Sequence, residues 1–463
     1  MKIQLILLDL GECCSKVNPL LKSKVYDISL KVLGKNFDKQ YDIIKNLSDK
    51  QELDGFIRFK FDNLIKHSYR NSTYYNKTLE SIIHEADQGP DKLINKIPIL
   101  TKDILRDQGI NISSKDLNTR KWFYNTSGGS TGEPIKFIQD DIFNKWMFAT
   151  VKYYYLNILG IDEQASKKIV LWGSEQEIFR STIGVKAKIS NWLLNLGFIN
   201  SFRMTENDML HCLNKINSFK PDLIRGYASS LYEISNFAER RNIKVHTPKV
   251  IVSAAETLGQ EVRESIERVF GARVYDFYGS REVDGLAGEC NSGYRHIFAF
   301  NNYIEILDDN NNPVNEGQEG RVIVTNLCNY SMPMIRYEIG DTAVLGPKKC
   351  KCGNPLPTLA KITGRITDNF IKEDNTIIYG EYFTHLFFMK SWVKRFQVIQ
   401  EDYKRIRIVL ELSSEIIEAE KNDIEEKIKL VLGKDCYIKW EIIDQITYSR
   451  SGKHIYTKTL VNR

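Results

Sequence analysis

The sequence predicts an α/β protein: a large N-terminal domain of mostly parallel sheet flanked by helices, with a β-hairpin-rich subdomain, followed by a small α+β C-terminal domain. Three observations predict it. Between about residues 121 and 277, short β-branched runs alternate with amphipathic helical segments, as expected of parallel strands with helices packed on the sheet faces. The turn-rich segment 308–313 separates two strand-like runs and reads as a hairpin. Past Gly364 strands bracket one long helix, a unit of about 95 residues, long enough for a domain of its own.

Each element follows from periodicity. Residues 1–95 are expected to be helical, with apolar positions at helical spacing over 20–32 and 43–67. Residues 169–172, 223–227, 250–253 and 273–277 are β-rich and read as strands, with amphipathic helices at 206–218, 229–240 and 259–270. The hairpin strands are 303–307 and 320–325. Strands are expected at 369–372, 395–400, 406–412 and 436–443, with a helix over 414–432. The division is 1–366 for the large domain and 367–463 for the small one.

Composition narrows the function. The chain has 463 residues, 42% hydrophobic and 27% charged, with a net charge of +6. This is a globular composition. The basic excess is spread along the chain and argues against dedicated nucleic-acid binding. The apolar N-terminal run is broken by Asp9 and Glu12 and lacks a small-residue cleavage site, so it does not read as a signal peptide. No run is long enough for a transmembrane segment. A cytoplasmic protein with reduced or metal-bound cysteines is expected, and loose attachment to a membrane surface is left open.

The most informative motif is Tyr124-Asn-Thr-Ser-Gly-Gly-Ser-Thr-Gly-Glu-Pro-Ile-Lys136. Gly128, Gly129 and Gly132 let the backbone approach a ligand closely. Successive amides can form an anion-binding nest, and Thr126, Ser127, Ser130 and Thr131 add hydroxyl donors. Read alone, the segment is equally a surface turn. Five further segments follow in order: Ser253-Ala-Ala-Glu256, Tyr278-Gly-Ser-Arg-Glu282, Arg336-Tyr-Glu-Ile-Gly-Asp341, Gly364-Arg-Ile-Thr-Asp368 and Arg450-Ser-Gly-Lys453. Taken singly, Arg336 and Asp341 read as a surface ion pair worth about 0–1 kcal/mol.

In this order the motifs resemble those of the adenylate-forming superfamily of acyl-CoA synthetases, peptide-synthetase adenylation domains and luciferases. The closest likeness is to the phenylacetate–CoA ligase branch and its CapK-type capsular polysaccharide proteins. The resemblance covers about residue 95 to the end. It implies an AMP-forming acid ligase that turns ATP and a small-molecule carboxylic acid into an acyl-adenylate and pyrophosphate. The acyl group then passes to CoA, an amine or an amino sugar, in capsule or O-antigen biosynthesis. It also implies that the small domain is mobile.

The resemblance further implies residue roles. Thr126, Ser127, Gly128, Gly129, Ser130, Thr131 and Gly132 would hold the β- and γ-phosphates, with Lys136 as an additional cation. Glu282 would contact Mg²⁺, which favours hard oxygen ligands. Tyr278 would lie against adenine, with Gly279 and Ser280 of the same motif in the nucleotide site and the backbone of Ala255 and Glu256 at the adenine edge. Asp341 would accept from both ribose hydroxyls. Arg365 would reach ribose or phosphate, and Lys453 would bridge the acyl carboxylate and the α-phosphate.

Cys290, His296, Cys350 and Cys352 lie where relatives carry a similar set, implying a structural Zn²⁺ with all four tetrahedral positions filled by protein. The segment 374–382 stands where CoA-using relatives have a Gly-rich loop, and keeps only Gly380 and Glu381 as suggestive residues. The pocket for the acid is expected between Trp172 and Thr205, with Tyr227, Ala254 and Phe277 and with Arg203 facing an anion or solvent. Two other classes stay open: a nucleotidyl (AMP) transferase acting on a small cofactor without an acyl step, and a non-catalytic nucleotide-binding protein.

Overall fold

A computed structural model describes residues 18–461, apart from 33, 48, 127–134, 174–184, 202, 364–368, 379, 388, 389, 391, 445 and 447–455. The described residues open with helices α1 (Pro19–Val32), α2 (Asp38–Lys45) and α3 (Lys50–Asn71), followed by short helical turns. The single helix expected over 43–67 is divided. Asn46 ends α2, and the Asp49 carboxylate starts α3 by accepting from the Glu52 amide at 2.9 Å, an N-cap that makes a new helix start here more favourable than continuing the old one.

Strands β1 (Trp122–Thr126) and β2 (Lys136–Asp140) then form an antiparallel hairpin leading into α4 (Asp141–Tyr153). Next come β3 (Lys168–Trp172), α5 (Val185–Leu193), β4 (Leu196–Asn200), β5 (Arg203–Met204), α6 (Glu206–Phe219), β6 (Leu223–Gly226), α7 (Ala228–Arg240), β7 (Val250–Ala254), α8 (Gln260–Phe270) and β8 (Val274–Ser280). This is the alternating region. After it the chain is almost all strand: β9 (Asp284–Glu289), β10 (Arg295–Ile297), β11 (Asn302–Leu307), β12 (Glu319–Asn326), β13 (Tyr337–Leu345) and β14 (Thr358–Thr363).

These two regions share one sheet, in the order β11-β12-β13-β14-β10-β9-β8-β7-β6-β3-β4. The stretch from β4 to β8 is parallel. From β9 onward every pairing is antiparallel, including the expected β11–β12 hairpin. The parallel strands are buried on both faces, which explains their unbroken apolar character. In β7, Ile251 faces the core of α6, α7 and α8, whereas Val250, Val252 and Ala254 face the core shared with the N-terminal helices.

The C-terminal part contains β15 (Phe370–Ile371), β16 (Ile377–Ile378), α9 (Gly380–Leu386), β17 (Val393–Asp402), β18 (Arg405–Leu412), α10 (Glu418–Leu432), β19 (Tyr437–Ile442) and β20 (Thr457–Thr459). Its sheet runs β19-β18-β17-β20. Ile424, Ile428 and Val431 of α10 pack on Phe396, Val398, Ile406 and Ile408. A small third sheet, β15-β16-β5, joins this part to the large one through the pairs Ile377↔Met204 and Ile378↔Arg203.

Candidate active site

The site lies at the carboxyl ends of β7 and β8, where parallel sheets present ligand-binding crevices. After β7 the chain turns sharply, and Ala255 takes a φ of +69°. Outside glycine such a backbone conformation is uncommon. The turn sends the Glu256 side chain back to α7, where it accepts from the Ser229 amide at 2.7 Å and the Ser229 hydroxyl at 2.8 Å. A carboxylate there completes the N-terminal turn of the helix. Burial raises the Glu256 pKa, and the two bonds from Ser229 oppose that shift.

After β8 the chain reverses into β9. A Cβ on Gly279 would lie 2.7 Å from the Asp284 carbonyl oxygen, so this close antiparallel approach requires glycine. The resulting cavity, about 170 Å³, is lined by Ala255, Glu256, Tyr278, Gly279, Ser280, Glu282 and Asp341 together with Thr257, Asp276, Phe277, Arg281 and Ile362. Seven positions expected around a nucleotide from three separate motifs therefore converge. The Tyr278 hydroxyl donates to Asp341 Oδ2 at 2.9 Å. Ser280 Oγ is buried with no hydrogen-bond partner among the described residues.

Glu282 is buried, and its carboxylate accepts from the Tyr337 hydroxyl at 3.4 Å. The backbone on either side of it is held by Gln139 of β2, whose Nε2 donates to the carbonyls of Arg281 and Glu282 at 2.9 and 3.3 Å. Gln139 Oε1 in turn accepts from Asn125 Nδ2 at 2.9 Å. The β1–β2 hairpin is thus tied to the Glu282 turn, and Thr126 faces the exposed Lys136 across the hairpin. The sequence analysis did not single out Gln139; a long-range side-chain-to-backbone bond leaves no local signal.

Ser127, Gly128, Gly129, Ser130, Thr131, Gly132, Arg365 and Lys453 lie outside the described residues. Arg336 is not paired with Asp341. It is buried, with its guanidinium on Glu305 at 2.9 and 3.1 Å and on the Ile97 carbonyl at 2.7 Å. Arg336 stands immediately before β13 with a φ of +51°, and its guanidinium reaches Glu305 on β11.

The expected acid pocket meets the C-terminal part. Trp172 at the end of β3 stacks on Tyr227 with ring centroids 4.4 Å apart, and Tyr227 is buried in the C-terminal core with Phe370 and Tyr382. The guanidinium of Arg225 lies 5.6 Å from the Trp172 ring centroid and 5.3 Å from that of Phe277. The 374–382 segment supplies β16, which pairs with β5 inside the 201–205 segment. A larger open groove of about 1100 Å³ lies beside the cavity along α8. Its buried charges satisfy one another, Arg263 with Glu289 at 2.7 Å and Arg295 with Asp276 at 2.9 Å.

Cys290, His296, Cys350 and Cys352 bring one ligand atom each to within 4.8 Å of all the others. The sulfurs of Cys290 and Cys350 are 3.7 Å apart, and His296 Nε2 is 3.1 Å from Cys352 Sγ. His296 Nδ1 lies 3.1 Å from the Leu356 carbonyl. That bond fixes the tautomer in which Nε2 is the free ligand atom. The cluster joins the β9–β10 hairpin to the loop between β13 and β14.

Known proteins resemble this chain in sequence and in fold. Residues 370–459 match the CapK C-terminal domain family. The whole chain is similar to Protein CapK of Staphylococcus aureus, 25% identical over 92% of this chain and 95% of that protein. In sequence the chain is thus similar to CapK and to ligases of the phenylacetate–CoA type. Phenylacetate-coenzyme A ligase of Pseudomonas putida is 29% identical over 66% of this CapK-like chain and 69% of its own length. The fold is that of 2-hydroxyisobutyryl-CoA ligase, solved with 2-HIB-AMP and CoA (TM-score 0.60, 17% identity, 89% of this chain and 92% of that one).

Proposed function

We propose that the chain is an AMP-forming acid ligase. The observation that carries this reading is the convergence of the motifs at Ser253, Tyr278 and Arg336 on one cavity, with the hairpin that leads to the Ser/Thr/Gly loop tied to the same place by Gln139. In this reading a carboxylate oxygen of the acid attacks the α-phosphorus of ATP, and pyrophosphate leaves. Tyr278 flanks the adenine, and the Ala255–Glu256 backbone lies at its edge. Asp341 accepts from the ribose, oriented by the Tyr278 hydroxyl. Glu282 holds Mg²⁺, whose charge offsets that of the phosphates. The loop 126–132 supplies amide and hydroxyl donors to the β- and γ-phosphates, Arg365 contacts ribose or phosphate, and Lys453 places an ammonium between the carboxylate and the α-phosphate.

The acyl group then goes to CoA, an amine or an amino sugar, and the similarity to CapK supports a role in capsule or O-antigen polysaccharide synthesis. The meeting of 374–382 with 201–205 favours acceptor entry at the β5–β16 junction, beside Trp172 and Tyr227. The cysteine–histidine cluster fits a structural Zn²⁺: three sulfurs and one oriented imidazole fill four positions and leave none open.

Pyrophosphate exchange across a panel of carboxylic acids tests the reading. Exchange that requires an acid is expected. Pyrophosphate release dependent only on a hydroxyl or phosphate acceptor would replace the ligase with an AMP transferase. Nucleotide binding with no release for any candidate would leave a binding protein. Lys453→Ala should slow exchange by about 10²–10³-fold while nucleotide affinity stays within a few-fold. Equal exchange rates in variant and parent would remove the lysine from its role.

A further inference from the structure

Three guanidiniums around the large sheet each have a carboxylate of their own: Arg263 with Glu289, Arg295 with Asp276 and Arg336 with Glu305. Arg225, at the carboxyl end of β6, forms no ion pair among the described residues, and its Nε is buried with no hydrogen-bond partner among them. Its surroundings are aromatic. The ring centroids of Trp172 and Phe277 lie 5.6 and 5.3 Å from the guanidinium carbon. Beside it is the Tyr155 hydroxyl, just beyond α4, and at longer range the Asp284 carboxylate at the start of β9. Burial raises the pKa of each, and the Arg225 charge opposes the rise. A hydroxyl brings no opposing charge, and Asp284 is beyond ion-pair reach. Charges withdrawn from water are ordinarily paired, and two ring faces replace only part of a carboxylate.

Sheet register puts this cation where it stands. Arg225 pairs laterally with Val170 of β3 and Val252 of β7. It therefore shares the face of Val252, Ala254 and Phe277 and not that of Ile251. Trp172 is two residues past Val170 on the same face. The Phe277 ring borders both the guanidinium and the nucleotide cavity.

We propose that Arg225 selects an acid carrying a second carboxylate, distal to the one that is adenylated. This rests on the ligase reading above: the reacting carboxylate lies at the nucleotide cavity, and the carbon skeleton runs past Phe277 and Trp172. The distal carboxylate then meets the guanidinium, whose planar fork takes a carboxylate through two parallel N–H···O bonds. A neutral acid of the same skeleton leaves the cation unpaired, and that difference is the discrimination. Arg225 holds the substrate away from the reacting atoms, so its loss acts on binding of the acid.

Pyrophosphate exchange with matched acids tests this: butyrate against succinate, valerate against glutarate, benzoate against isophthalate. The diacid of at least one pair should be favoured in kcat/KM by about tenfold or more. Arg225→Met keeps the bulk and removes the charge. It should raise the KM for that diacid by about tenfold to a hundredfold, with a far smaller fall in kcat and the KM for ATP within a few-fold. Arg225→Lys keeps the charge without the fork and should fall between the two. The diacid should also raise the melting temperature of the parent and not that of the Met variant. A ligand-free melting temperature at or above the parent's is the folding control, since no ion pair is lost. Preference for the neutral member of every pair would overturn the inference and leave the ligase reading intact. So would an unchanged diacid KM in Arg225→Met, which would make the guanidinium a packing group. Should the Met variant fail to fold, a diacid KM in Arg225→Lys equal to the parent's overturns it equally. Exchange with no acid at all would bring down the ligase reading and this inference with it.

Discussion

At the residue scale, charged side chains act by the company they are folded into. The Arg336 guanidinium is held inside the protein, by Glu305 on two nitrogens and the Ile97 carbonyl on a third. Burial raises the Glu305 pKa and the guanidinium opposes that. Removing one partner leaves an uncompensated buried charge, so Arg336→Ala should cost about 3–5 kcal/mol in urea unfolding; a cost under about 1 kcal/mol would mean that the pair is a surface bridge after all. Asp116 shows the opposite shift. The Arg120 guanidinium, bonded at 2.9 Å, holds its pKa down from 3.8 to about 2. A depressed carboxylate stabilises the fold above its unfolded pKa and loses that contribution as pH falls through the folded one. Asp116→Asn should therefore lose on the order of 1 kcal/mol at neutral pH, and the gap to the parent should close between about pH 4 and pH 2. Urea midpoints measured across that range check the sign. Neither partner choice was legible in the sequence. Arg336 read as a neighbour of Asp341 because they share a motif, but Arg336 precedes β13 while Asp341 lies within it, and the fold brings Glu305 from β11 to the guanidinium instead.

At the element scale, the sequence was informative wherever a periodic pattern met a chemical punctuation mark. The strand–helix alternation from β3 to β8 and the β11–β12 hairpin stand where expected, since one depends on apolar runs and the other on the turn at 308–313. The break between α2 and α3 was missed because apolar spacing continues through it, and Asp49 becomes a cap only once its neighbours adopt the bend. The β8–β9 reversal is the element on which the site rests most. Gly279→Ala would press a methyl group onto the Asp284 carbonyl oxygen, which is backbone and cannot rotate away. The variant should weaken ATP binding by about tenfold or more and cost about 1–3 kcal/mol in stability. Isothermal titration with Mg-ATP beside a thermal melt measures both; unchanged affinity would detach this turn from the nucleotide.

At the scale of the whole molecule, two long-range junctions matter. The cysteine–histidine cluster draws its ligands from positions up to 62 apart in sequence, Cys290 to Cys352, and closes the loop that precedes β14. Protein purified without chelator should carry about one zinc per chain by elemental analysis. Chelation or Cys350→Ser should lower the melting temperature by several degrees, with acid-dependent exchange persisting at low temperature. Metal-free protein of unaltered melting temperature would reduce the cluster to buried thiols. The second junction is β5 with β16, which joins the segment expected near the acid to the segment expected near the acceptor.

The sequence by itself determined the element types, the order of the nucleotide motifs and the four metal-ligand candidates. All of these depend on residue identity at short range: periodicity, glycine where backbone must come close, cysteine and histidine where soft ligands are needed. Only the tertiary structure decided that the Tyr278 hydroxyl meets Asp341, that Gln139 fastens the hairpin to Glu282, and that Arg336 belongs to Glu305. Those depend on sheet register and on which helix face finds a partner. Pairing between distant segments is fixed by the packing of the entire chain, and no local pattern of residues records it.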